Sequence, residues 1–124
     1  MTRRWRVLTA GMCGLVLAGV TMPADRAWAR AREVVEISAE RFSFTPSEIK
    51  TRMGVVLELR LRSEDTDHGF RIAGTSTDIR IPKRNKGVAT VVFEPTAPGR
   101  YTFECSHVCG AGHSFMRGVI VVTE

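Results

Sequence analysis

The chain is 124 residues long, which leaves room for one domain. Its 18 lysines and arginines against 13 acidic residues give a formal net charge of +5, yet they form no concentrated basic stripe of the kind a nucleic-acid binder needs. Nucleic acid is therefore not an expected partner.

The N-terminus reads as a leader. Thr2-Arg3-Arg4-Trp5-Arg6 is a basic cluster, Val7 to Val20 is an apolar run, and Ala27-Trp28-Ala29 fits a small-x-small cleavage pattern. The run is shorter than the roughly 20 apolar residues that span a bilayer. Residues 1–29 are expected to be a cleaved signal peptide, with 30–124 forming the exported domain on the periplasmic or extracellular side of the membrane. An uncleaved anchor is the alternative. In either case contact with a membrane comes only through that leader or a partner. The pair Arg3-Arg4 resembles a twin-arginine signal, although the residues after the pair fit that signal poorly. Loss of the leader removes Arg3, Arg4, Arg6, Asp25 and Arg26 and leaves about +2 on the domain. Cys13 leaves as well, so Cys105 and Cys109 are the thiols of the mature chain.

Short apolar alternations occupy the rest of the chain. Val34-Val35-Glu36-Ile37 predicts a first strand, and Phe42-Ser43-Phe44 alternates before Pro46 interrupts it. In Val55-Val56-Leu57-Glu58-Leu59-Arg60-Leu61-Arg62, the period of two places Val55, Leu57, Leu59 and Leu61 on one face, which must be buried. Further strands are predicted over 69–72, 77–81, 88–93, 100–104 and 118–123, separated by turn-forming residues over 63–67, 73–76 and 95–99. Arg80, Lys83, Arg84 and Lys86 around Pro82 read as a solvated loop, with a docking surface for an acidic partner as the second reading. Seven or eight short strands without helical periodicity predict an all-β, Greek-key sandwich or small barrel.

Near the end of the chain, Cys105-Ser106-His107-Val108-Cys109-Gly110-Ala111-Gly112-His113-Ser114-Phe115-Met116 gathers thiols, imidazoles and a thioether in one loop. His68, in Asp67-His68-Gly69-Phe70, is the best candidate to close such a site from another strand. Soft sulfur donors with imidazole select copper, zinc or iron–sulfur chemistry, whereas calcium or magnesium would call for oxygens. A mononuclear blue-copper centre uses one cysteine, so this loop has one too many; two thiolates could instead bridge two copper ions. A structural zinc site, a redox disulfide and a nucleophilic cysteine remain as other readings of the same residues. Tyr101 and Phe115 read as packing residues.

The loop resembles the CuA loop of cytochrome c oxidase subunit II, which nitrous oxide reductase shares. The resemblance extends to Asp67-His68-Gly69-Phe70-Arg71-Ile72, to Pro98-Gly99-Arg100-Tyr101-Thr102-Phe103-Glu104 entering the loop, and to Gly118-Val119-Ile120-Val121-Val122 leaving it. It implies a cupredoxin fold. It also implies a dinuclear copper centre with Cys105 and Cys109 as bridging thiolates and His68 and His113 as terminal ligands. Met116 would be axial on one ion, and the backbone carbonyl of His107 on the other. The side chain of His107 is either solvent-exposed or an additional imidazole near the metal.

Two features depart from that family. His107 stands where the typical subunit has a glutamate whose carboxylate serves a magnesium site, and the transmembrane helices of the oxidase subunit are not evident here. The expected function is one-electron transfer in a respiratory chain, with a redox protein such as cytochrome c or an oxidase catalytic subunit as partner. The alternative is a copper carrier delivering metal to a respiratory enzyme. A copper chaperone is a further expected partner.

Overall fold

The computed structural model describes residues 30–124, so the leader reading, Cys13 and the cleavage pattern lie outside the described residues. Nine strands form two sheets: β1 Arg32–Glu40, β2 Ser43–Thr45, β3 Glu48–Arg52, β4 Val56–Ser63, β5 His68–Ile72, β6 Asp78–Ile81, β7 Ala89–Phe93, β8 Gly99–Glu104 and β9 Arg117–Thr123. One sheet runs β2-β1-β4-β7 and the other β3-β9-β8-β5-β6. The β1–β4 and β3–β9 pairs are parallel and the remaining pairs antiparallel. This is the two-sheet Greek-key sandwich that the alternations predict. Among the described residues the one helical feature is a 3-10 turn, His113–Phe115, and no helix is long and apolar enough to cross a membrane.

The core follows from the period-two pattern. Val55, Leu57, Leu59 and Leu61 are all buried, as that pattern requires, beside Ile37 and Ala39 of β1. They face Phe70, Ile72, Phe103, Ile120 and Val122 of the other sheet. Phe44, Phe70 and Phe103 form an aromatic cluster with ring centroids 5.1–5.8 Å apart, Phe44 meeting the other two edge-on.

Three local differences from the sequence reading have physical causes. β1 runs on to Glu40 because Ser38, Ala39 and Glu40 pair with β2 on one side while Ser38 and Ala39 pair with β4 on the other. β3 has no counterpart among the predicted strands: of Glu48-Ile49-Lys50-Thr51-Arg52 only Ile49 is buried, so the strand carries almost no hydrophobic signature, and it is formed by parallel pairing to β9 at a sheet edge. Phe42 does not share the buried face of Phe44, because it lies in the β1–β2 turn and packs elsewhere.

Arg80 lies in β6, and Lys83, Arg84 and Lys86 form the exposed β6–β7 loop. Backbone hydrogen bonds tie that loop to the preceding acidic turn: Lys83 N–H donates to Asp67 Oδ1 at 2.7 Å and Arg84 N–H to the Asp65 carbonyl at 3.2 Å.

Candidate metal centre

The site is the soft, polar end of the core. On β5, Ile72, Phe70 and His68 share the inward face, and His68 is 0% exposed. On β8 the inward residue Phe103 is followed two positions later by buried Cys105. On β9, Val122, Ile120 and Gly118 lead back to buried Met116. Three core stripes thus end in imidazole, thiol and thioether, and the alternation that fills the sandwich also aims these donors at one place.

The Cys105 and Cys109 sulfurs are free thiols 3.8 Å apart, far beyond the disulfide bond length of about 2.05 Å. His68 Nδ1 lies 4.0 Å from the Cys105 sulfur, and His113 Nδ1 lies 3.9 Å from the Cys109 sulfur. Met116 Sδ is 3.9 Å from Cys109, and the carbonyl oxygen of His107 accepts from the Cys105 thiol at 3.1 Å. All six residues singled out in the sequence therefore converge, His107 through its backbone while its side chain is half-buried. The donor atoms of His68, Cys105 and Cys109 lie within 4.8 Å of one another.

The loop is closed at its base, where Cys105 N–H donates to the Met116 carbonyl at 3.0 Å. Inside it, the N–H groups of His113 and Phe115 donate to the carbonyls of Gly110 and Gly112. Gly110 has φ +145°, a conformation that favours glycine.

Four residues beyond the sequence reading hold the donors in place. Asp65 Oδ1 lies 2.7 Å from His68 Nε2. A proton on Nε2 donated to that carboxylate leaves the Nδ1 lone pair facing Cys105. Burial pushes the Asp65 carboxyl upward, but hydrogen bonds from His68 and from the N–H groups of Arg41 and Thr66 outweigh it and hold the group below its usual range. Arg41 Nε donates to the Cys109 carbonyl at 2.8 Å, and the Phe42 ring packs against Gly110 and Gly112. Gly69 N–H points at the Cys105 sulfur at 3.4 Å. A methyl group on Gly69 would overlap Ser106 and the His107 backbone, so the strand approaches the loop only because this residue lacks a side chain. The one sequence signal for these roles is the pairing of an acidic turn with His68.

Burial, reinforced by the neighbouring Cys105 thiol, pushes the Cys109 thiol up to about 11. The Cys109 thiol therefore stays protonated at neutral pH in the metal-free pocket, and a cation bound to it displaces that proton. Tyr101 packs edge-on against Phe93 and donates its hydroxyl to the Ala97 carbonyl at 2.7 Å, as a packing residue should. Phe115 does not pack: it sits in the 3-10 turn with 78% of its surface exposed, because the turn directs its neighbour Met116 inward instead.

Comparison with known proteins gives a consistent picture. The model of the cupredoxin-like domain family matches residues 11–122. Cytochrome c oxidase subunit 2 of Thermus thermophilus is 33% identical over 90 residues, covering 73% of this chain and 65% of that protein, so the chain spans less than two thirds of that relative's length. A chain in the structure of a heme-copper terminal oxidase dimer superposes with a TM-score of 0.64 at 31% identity, over 78% of this chain and 67% of that one. The periplasmic domain of subunit II of the Bradyrhizobium japonicum cytochrome oxidase shares the fold, with a TM-score of 0.65 at 16% identity over 73% of this chain and 83% of that domain.

Proposed function

The chain belongs to the cupredoxin-like family, and from that premise we propose that it holds a dinuclear CuA-type copper centre and passes single electrons between respiratory redox proteins on the exported side of a membrane. The two cysteines would bridge the ions, His68 and His113 would each terminate one ion, and Met116 and the His107 carbonyl would complete the set.

One observation carries the two-ion reading. His113 stands outside the group of three donors that lie mutually within 4.8 Å, although its Nδ1 is 3.9 Å from Cys109. With metal–ligand bonds of roughly 2.0–2.3 Å, a single tetrahedral ion needs all four donors about 3.5 Å from one another. The wider spacing of this donor set supports two ions over one. It suits two ions that share the thiolates and have one imidazole each. The sulfur-rich donors favour copper over hard cations.

Copper supplies the redox chemistry when bound. The protein supplies position: Asp65 fixes the His68 ring, Arg41 and Phe42 hold the Cys109 side of the loop, and His68, Cys105, Cys109 and Met116 are buried. Donors held this way need little rearrangement between oxidation states, which suits outer-sphere transfer. Residues 1–29 act in this reading as a cleaved leader, and 30–124 as the working domain. Cytochrome c or an oxidase catalytic subunit is the proposed redox partner, and a copper chaperone the proposed source of metal.

The test is copper stoichiometry with electron paramagnetic resonance on the reconstituted protein. Two coppers sharing one unpaired electron is the expected result. One copper, or zinc in its place, overturns the dinuclear reading. A copper carrier uses the same donors and separates by exchange rate: rapid release of copper to an acceptor protein would favour the carrier.

A further inference from the structure

The surface over the metal centre combines exposed apolar groups with cations that have no carboxylate partner. Val108 and Phe115 are 76% and 78% exposed on the loop that carries Cys109 and His113, and Phe42, 37% exposed, packs beside them on Gly110 and Gly112. Large apolar side chains presented together around a buried centre mark a contact surface. Arg41 reaches this face through its bond to the Cys109 carbonyl, and Arg117 through a 2.7 Å bond to the Ser114 carbonyl. Among the described residues neither forms an ion pair, and neither 41–47 nor 105–118 contains an aspartate or glutamate.

The basic β6–β7 loop extends the same end of the molecule. Arg84 N–H bonds the Asp65 carbonyl, while the Asp65 side chain holds both Arg41 N–H and His68. Lys83 and Lys86 are exposed there without ion-pair partners among the described residues. Of the carboxylates at this end, Asp67 is ion-paired with Arg80 at 2.7 Å and Glu64 with Arg62 at 2.9 Å, whereas Asp65 and Asp78 hydrogen-bond the His68 ring and the Ser106 hydroxyl and keep their charge. Glu40, beside Arg41, is exposed at the margin.

We infer that this face docks a redox protein whose own contact surface is apolar at its centre and rimmed by carboxylates. The apolar contact would seat the partner over the ligand loop, and the cations would steer an acidic rim and disfavour a basic one. The inference rests on the electron-transfer reading above and adds the chemical character of the partner.

The test uses the full chain, copper-loaded and reduced, with two probes: a basic cytochrome c, and the same cytochrome succinylated at its lysines. Binding is followed by amide chemical shifts and electron exchange by stopped flow. The succinylated probe is expected to bind at least tenfold more tightly, with shifts concentrated at 41–42 and 105–118, and to weaken at least tenfold between roughly 20 and 200 mM salt. Arg117→Glu and, independently, the double variant Lys83→Glu/Lys86→Glu should each reduce that preference several-fold. Tighter binding of the unmodified cytochrome, equal binding of both, shifts centred elsewhere, or indifference to both charge reversals would overturn the inference. Docking of the succinylated probe at this face without electron exchange would uphold the surface and overturn the electron-transfer reading. Fast exchange with the unmodified cytochrome alone would do the reverse.

Discussion

Asp65 and His68 are joined at 2.7 Å between Oδ1 and Nε2, and the second oxygen of the same carboxylate accepts the N–H of Arg41 at 3.0 Å. Arg41 in turn donates to the Cys109 carbonyl. One side chain therefore sets the ring of one proposed ligand directly and the backbone of another through a single intermediary. Asp65→Asn removes the charge and leaves one acceptor where two are used. A 10–100-fold loss of copper affinity is expected, the range typical of partners that orient metal-bound histidines. Copper titration against a competing chelator measures it.

The bridging role assigned to the thiols is tested by unequal outcomes. Cys109→Ser should retain at most one copper, and a variant holding two would remove Cys109 from the bridge. Met116→Leu, by contrast, should keep both ions, because a weak axial thioether tunes a copper site more than it holds it. Its reduction potential, read by protein-film voltammetry, should shift.

Gly69→Ala places a methyl group against Ser106 and the His107 backbone, where backbone atoms must move. Overpacking of this kind costs about 1–3 kcal/mol. Urea unfolding of the metal-free chain should show that loss. In the loaded protein, displacement of the His107 carbonyl and of the Gly69 N–H from the Cys105 sulfur should change the visible absorption as well.

The Cys109 thiol gives the metal-free protein a distinctive alkaline limb. Its value is raised from 9.0 to about 11 by burial and by the Cys105 thiol. Between those values the unfolded chain sheds a proton that the folded chain retains, so stability falls as pH rises from about 9 to about 11 and is unaffected by this group below about 9. Thermal unfolding under reducing conditions should show the decline, and Cys109→Ser should show a shallower one.

The strands are legible in the sequence wherever burial is one-sided, as at Leu57, Leu59 and Leu61, because period-two alternation records which face is inside. β3 escapes because an edge strand with one buried residue leaves no such record. The candidate donors are legible by their chemistry alone. Their supports are not. Aspartate in an acidic turn reads as a turn residue, a glycine after a histidine carries no visible purpose, and Arg41 lies 68 residues from the carbonyl it holds. Phe115 shows the limit from the other side: aromatic area suggests packing, yet the local turn decides which of two adjacent apolar residues enters the core.

The hydrogen bond from Cys105 N–H to the Met116 carbonyl closes the loop at the point where β8 and β9 begin to pair. Everything between those residues is bracketed by a completed ladder, so the two ends of the loop are held at one fixed separation. His68 is the one proposed side-chain ligand outside the bracket. The candidate donors of residues 105–116 thus sit on a segment whose two ends are pinned by one sheet, while Gly69, Phe42 and Arg41 from outside it fix how that segment lies.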